Sequence, residues 1–503
     1  MPGISTSKIA IPFNSGGIDY LHYWTTRTPT LLNVTSQTDT TIDFAWTAGT
    51  DEPEGYKLQV SSDGVTYTDK TTVAGNVTTA QATGLTAGVL YYFKVVAYSG
   101  TNESDPTNIY DTRFKITVDT TKAGSAADTF VLPNYTSGTY NYYVDWGDGG
   151  AEENITTTGN HTHTYAAQGT YQVKIRGVMP RLYFNNAGDK LKITKIDNWG
   201  NIKWSSTANT YYGCINLEAN YTDAPNVSAV TDFSYMFSNC SKFNGAVNNW
   251  SMSAATNISR MFAYCSIFNK PVSNWNTSNV TDMSSMFIGN ALFNQSLNTF
   301  DTTKVTSIFS MLEGCTAFNQ PVSNWNTANV TLMRWLFKDC PYFNQSVANF
   351  NTAKVTDIRG LFQNCTAFNQ SVASFNTAEV TNMSAMFLGC AAFNQSVANF
   401  NTAKVTTMAE MFKNCTIFNQ DLSGFNVEAV TTLTSFMQSA NALSTINYDA
   451  LLIAWAAQAG IDSGLTPHFG DATYTPGGAA EAARTTLTGA PNSWVITDGG
   501  PSF

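Results

Sequence analysis

Between Val230 and Val430 the chain repeats itself every 25 residues, eight times, without slippage. Cysteine stands at Cys240, Cys265, Cys315, Cys340, Cys365, Cys390 and Cys415, with Asn290 in the remaining slot. A Phe-Asn pair follows each time, from Phe243-Asn244 to Phe418-Asn419. A fixed period of this length predicts a solenoid, in which one repeat is one coil that buries its apolar residues only against its neighbours. Such a body offers long surfaces rather than one deep pocket, so a binding or structural role is expected.

Within a repeat two patterns can be read. In Val280-Thr281-Asp282-Met283-Ser284-Ser285-Met286-Phe287 the apolar residues fall at 280, 283, 286 and 287, a helical spacing. The stretch from Phe293 to Phe300 suits a short extended segment. One short helix and one short strand per coil would make a leucine-rich-repeat-like α/β solenoid. The asparagine after each phenylalanine is expected to satisfy backbone groups between coils as a ladder, and Gln295, Gln320, Gln345, Gln370, Gln395 and Gln420 to act as turn-stabilising amides. The cysteines, sharing one phase and lacking CxxC or histidine partners, read as buried free thiols rather than disulfides or metal ligands.

Composition narrows the function classes. Charged residues are only 12% of the chain, about half the usual share, and the net charge is −10 with an isoelectric point near 4.9. No Lys/Arg cluster is present to neutralise phosphates, so nucleic acid is not an expected partner. No run of 18 apolar residues occurs, which argues against membrane insertion by a helix. The four histidines, His22, His161, His163 and His468, are scattered, and no GxSxG, HExxH or Walker loop appears. A non-enzymatic protein without metal or cofactor is the expectation.

The flanking regions divide into further parts. Residues 1–28 carry Tyr20, Tyr23 and Trp24, an aromatic cluster expected to anchor the chain to its own next domain or to an assembly. Residues 29–112 alternate apolar and polar positions between turn signals. Their Trp46, Gly55-Tyr56-Lys57-Leu58, Thr83-Gly84-Leu85-Thr86 and Tyr91-Tyr92-Phe93-Lys94-Val95 resemble a fibronectin type III β-sandwich. That resemblance implies core roles for Trp46 and Tyr92 and a turn plug at Leu85. Residues 113–178 carry Asp145-Trp146-Gly147-Asp148-Gly149 and His163-Thr164-Tyr165, which resemble a PKD-type β-sandwich. Asp145 and Asp148 could suggest calcium, but turn-shaping carboxylates are the expected reading. Residues 179–229 form an N-terminal cap, 230–440 the repeat array and 441–503 a C-terminal cap. The motif Phe-Asn-Gln-Ser-Val-x-Asn-Phe/Trp-Asn-Thr-x-x-Val-Thr-x-Met resembles the repeats of the Bacteroides surface protein A-like family, and the segments around Tyr448–Trp455 and Phe469–Tyr474 resemble its closing region. The fold class expected is therefore mainly β: two β-sandwich modules followed by a repeat solenoid.

Any ligand site should sit where the repeats differ. One coil places Arg334, Trp335, Lys338 and Tyr342 on non-core phases, with Arg359 beside Arg334 and with Arg260 and Tyr264 expected one or two coils away. Aromatic and arginine side chains on a rigid surface are hot-spot chemistry, and an exposed tryptophan can stack on a sugar ring. The expected role is display of the repeats for binding a host-surface receptor or glycan. A phage virion fibre or decoration protein is favoured because no leader or sorting signal is evident, with the amino terminus held by other virion proteins and a homo-oligomer allowed. The alternatives are a secreted bacterial cell-surface adhesin, extracellular in location, and a glycan-binding subunit of a larger complex.

Overall fold

The computed structural model describes residues 25–502, so the expected anchor residues Tyr20, Tyr23 and Trp24 lie outside the described residues. The chain divides into two compact units, the first essentially residues 25–112 and the second essentially 113–502.

The first unit is a β-sandwich. A three-stranded sheet joins Thr30–Gln37, Ile42–Thr47 and Thr79–Ala82, and a second sheet pairs Thr68–Ala74, Gly55–Ser61 and Tyr92–Ser99 in antiparallel order. Alternation along the strands drives Phe44, Trp46, Tyr56, Leu58, Phe93 and Val95 into one core, where Trp46 packs edge-on against Tyr56 at 5.4 Å. Leu85 is buried as expected. Tyr92 is not a core residue: Phe93, next along the strand, takes the inward position, and Tyr92 lies half-buried on the other face over Gly64.

The second unit starts with a sheet ordered Glu153–Ile155, Asn141–Asp145, Thr170–Val178, Phe114–Asp119, Ile193–Asn198 and Glu218–Ala219. Thr129–Pro133 and Asn160–Thr164, separated in the chain by two strands of that sheet, form a separate antiparallel pair. Beneath lies a fully buried ion pair. The Lys192 ammonium donates to the carbonyls of Ser125, Ala126 and Thr129 at 2.8–3.1 Å and lies 3.8 Å from Asp189. Asp189 in turn accepts from the Ser125 and Val131 amides at 2.6 and 2.7 Å. The last pairing of the sheet, Ile193–Asn198 with Glu218–Ala219, is parallel, and from there the chain continues into the repeats.

Each 25-residue block lies on the next. Single-residue parallel bridges run from Asp232 to Asn257, Asp282, Ser307, Leu332, Asp357, Asn382, Thr407 and Thr432. The expected helix is absent from the blocks. Its stretch is a ribbon of turns in which the amides alternate: Met283, Ser285, Phe287 and Gly289 donate to carbonyls of the following coil, while Met286, Ile288 and Asn290 donate three residues back. Ser285 (φ 53°) and Gly289 (φ 74°) adopt the left-handed region, as do the residues 25 positions away in both directions. Left-handed residues at this spacing rule out the run of i→i−4 bonds that makes a helix. The expected strand from Phe293 to Phe300 is likewise absent: the stretch makes no ladder and ends in a turn, where the Phe300 amide donates to the Leu297 carbonyl at 3.1 Å.

Side chains complete the interlocking. The phenylalanines from Phe243 to Phe418 stack at 6.0–6.2 Å. From Asn244 to Asn394 each Asn Oδ1 accepts the amide of the next coil's asparagine, as Asn294 does from Asn319 at 3.0 Å, and where a glutamine follows it also accepts that Nε2, as from Gln320 at 3.1 Å. All eight cysteines are free and buried. The seven in the repeats donate Sγ–H to a carbonyl of the preceding coil at 2.9–3.1 Å. Asn290 replaces the thiol once, fully buried, and among the described residues its side-chain carboxamide has no partner.

The C-terminal end is closed by α1 (Thr445–Ala456), capped by Ser444, and α2 (Ala479–Thr488). The Ser444 amide donates to Asn419 Oδ1, so the start of α1 takes the place of a further coil in the asparagine ladder.

Candidate functional site

The inward columns scarcely vary, so the differences from coil to coil are concentrated in the outward ones. Two of these follow the left-handed positions, and their side chains lean over the same position of the next coil. Trp335 (φ 59°) leans on Gly360, where a Cβ would come within 2.4 Å of the indole Cδ1. Tyr264 (φ 59°) leans on Gly289, where a Cβ would come within 2.6 Å of its ring. Glycine in the following coil is what lets each ring lie flat.

Around Trp335 the structure assembles a cluster. The Arg334 guanidinium sits 4.7 Å from the Phe309 ring and 5.3 Å from the Trp335 ring, and its Nη1 is 3.6 Å from Asp357. Arg359 binds Asp357 through Nε and Nη2 at 2.9 and 2.7 Å and places its guanidinium 5.7 Å from Trp335. Lys338 completes the ring of cations at 5.7 Å and is held by Glu313 at 2.7 Å. Burial works against the Lys338 charge, but Glu313, then Asp339 and the Tyr264 phenol, outweigh it and raise its pKa above the ordinary value. Cations around an aromatic ring, each tied to a carboxylate, make a stiff and nearly neutral patch.

Trp335 is therefore wedged rather than freely exposed, which corrects the sequence expectation of an open stacking surface. Arg334, Trp335, Lys338 and Arg359 are brought together, whereas Tyr342 is not part of their ring and ion-pair network. It stands 66% exposed in another column, with Leu292, Ile267 and Ile417. Arg260 and Tyr264 lie three coils from Trp335, not one or two, because 260, 285, 310 and 335 are successive members of one column. Arg260 rests on the Tyr235 ring at 5.3 Å. Tyr264 still reaches toward the cluster across Gly289, close enough to act on Lys338. Sequence reasoning missed Phe309, Glu313, Asp357 and Gly360. Aligning the repeats by column would have exposed Phe309, the lone aromatic where the other coils carry Ser, Arg, Ala or Thr.

Elsewhere, Asp145 accepts from Lys174 and the Gly147 amide, both at 2.9 Å, and Asp148 from the Gly150 amide at 3.0 Å, with His163 Nε2 2.9 Å away. These carboxylates shape a turn. Among the described residues no group of three or more His, Cys, Asp or Glu is placed to hold a metal ion, and no helix is long and apolar enough to cross a membrane.

Residues 179–289, 268–359 and 333–449 match the family described as "Mycoplasma protein of unknown function, DUF285", and residues 27–113 match the fibronectin type III domain. Among solved structures, a two fibronectin type III domain segment from chicken tenascin is 20% identical with a TM-score of 0.16, covering 29% of this chain and 89% of that one. The chicken CNTN1 FN1-FN3 domains are 15% identical with a TM-score of 0.17, covering 30% and 62%. No curated protein matches the chain.

Proposed function

Because the chain belongs to the family of Mycoplasma proteins of unknown function, DUF285, which spans more than half of its residues, we propose that its repeats form a solenoid whose task is display. In this reading the protein is non-enzymatic, and the solenoid presents outward columns to a receptor or glycan on a host surface. The observation that carries it is the Phe309–Arg334–Trp335–Lys338–Arg359 cluster: variable side chains locked on a frame whose inward columns scarcely vary. Locking lowers the entropy lost on binding, and Trp and Arg are the residues that most often dominate interfaces. The fibronectin type III unit and residues 113–178, read as a PKD-like sandwich, serve as a stalk.

For location the proposal is a virion fibre or decoration protein released by lysis. A secreted bacterial adhesin is the second reading, favoured by the resemblance of the repeat motif to bacterial surface-protein repeats. Mass spectrometry of purified phage particles and of bacterial surface fractions separates them: peptides from this chain in particles support the first, and peptides on uninfected cells alone replace it with the second.

A further inference from the structure

We propose that a groove at the amino-terminal end of the repeats is a subsite for one carboxylated sugar residue, such as a uronic or sialic acid unit of a surface glycan. The proposal deepens the display reading and rests on it. The cavity measures about 470 Å³, ample for a sugar ring with room for a neighbour.

The groove follows a column of left-handed positions. Asn186, Gly213, Asn239 and Tyr264 occupy successive outward left-handed positions, and at Gly213 (φ 85°) a Cβ would come 2.2 Å from Asn186 Oδ1. The Asn186 side chain therefore lies over Gly213 in the space a Cβ would need, and both residues line the groove. Tyr264, 49% exposed and braced on Gly289, forms one wall, and the exposed Ile215 faces the same cavity. An aromatic face beside a small apolar patch suits the C–H face of a sugar ring.

The polar groups are uncommitted. Among the described residues the Asn239 carboxamide makes no side-chain hydrogen bond, and Ser241 uses its hydroxyl only to donate to the Ile215 carbonyl at 3.3 Å, so its lone pairs remain open. Lys190 sets the class of sugar. Its ammonium donates only to the carbonyl and side-chain oxygens of Asn186, and among the described residues no carboxylate pairs with it. Every lysine or arginine of the Trp335 cluster has an acidic partner; Lys190, in a chain of net charge −10, has none. A single carboxylate is the complement of such a single charge, whereas a polyanion would be repelled by the chain's net charge of −10.

The test uses the intact chain and three probes by titration calorimetry: sialyllactose, a glucuronate-terminated trisaccharide, and lactose as the neutral control. The proposal expects one acidic sugar to bind more tightly than lactose, and Lys190→Gln to remove about tenfold of that affinity while leaving weak lactose binding unchanged. Tyr264→Ala should weaken acidic and neutral sugars alike. Which acidic probe binds identifies the source of the carboxylate. Equal binding of acidic and neutral sugars, or an unchanged affinity in Lys190→Gln, overturns the assignment of a carboxylated sugar. If none of the three binds while the chain still adsorbs to cells through Trp335, the groove proposal fails and the display reading survives. If adsorption is also absent, both fail.

Discussion

Asn290 offers a test in which the structure predicts gain rather than loss. It is fully buried, between Cys265 and Cys315 in the thiol column, and neither its Oδ1 nor its Nδ2 has a partner among the described residues. At every other coil the cysteine Sγ–H meets a carbonyl of the coil before, as Cys315 meets Phe287 at 3.1 Å. Asn290→Cys would remove an unpaired amide and let the new thiol face the equivalent Phe262 carbonyl. A buried polar group left unsatisfied costs about 1–3 kcal/mol, so the substitution should stabilise the repeat unit by about 1–3 kcal/mol. The backbone need not move, since the Asn290 backbone N–H already donates to the Phe287 carbonyl and its backbone carbonyl accepts from Phe293, as at the cysteine positions. Urea unfolding of the intact chain, followed by circular dichroism, measures the effect as a higher midpoint at unchanged slope. The reverse change, Cys315→Asn, should lower the midpoint by a similar amount. A midpoint that falls in Asn290→Cys would refute the reasoning, because it would mean that the Asn290 amide is engaged by bonds the column argument does not contain.

Other expectations follow from single contacts. Lys192→Met leaves the Asp189 carboxylate buried without its cation and should cost about 3–5 kcal/mol, read as a lowered urea midpoint; a cost below about 1 kcal/mol would dismiss the pair as structural cement. Gly360→Ala forces a Cβ against the Trp335 indole at a left-handed φ of 57°, and should both destabilise the chain by about 1–3 kcal/mol and change the tryptophan fluorescence. The turn at Asp63 should show in acid. Amides of Thr66 and Val65 and the Ser61 hydroxyl hold its carboxyl down to about 2, so its contribution is complete above the ordinary carboxylate range and disappears as pH falls through about 2. Carbon NMR titration of Asp63 with a midpoint near 4 would contradict this.

What the sequence made legible was chemistry that repeats. The 25-residue register, the asparagine ladder and the buried thiols each present the same residue type at the same phase, and stacking lets equivalent groups meet. The turn ribbon was not legible, for a physical reason. Apolar positions at 280, 283, 286 and 287 fit a helix and a chain of three-residue turns equally well. The residues that decide between them hold left-handed angles, but at that phase the coils carry Tyr235, Arg260, Ser285, Ser310, Trp335, Gly360, Ala385, Glu410 and Ser435, with glycine only once. Lateral hydrogen bonds impose the conformation there, not residue preference. Four residues on, Asn239, Gly289, Gly314, Asp339, Asn364, Gly389 and Asn414 do carry the expected signature. The site was half legible: Arg334 and Trp335 stood out by type, but the wedging of Trp335 depends on Gly360, a residue with no side chain to notice.

If the variable columns bind and the invariant ones only hold the frame, adsorption of the labelled intact chain to bacterial cells separates the double variant Arg334→Gln/Trp335→Ala from Gln345→Ala in the amide column. The double variant should lose roughly 30-fold in affinity, the size of a roughly 2 kcal/mol hot spot, at an unchanged fold by circular dichroism, while Gln345→Ala adsorbs as the parent does. Undiminished adsorption of the double variant, or an equal loss in Gln345→Ala, would contradict it.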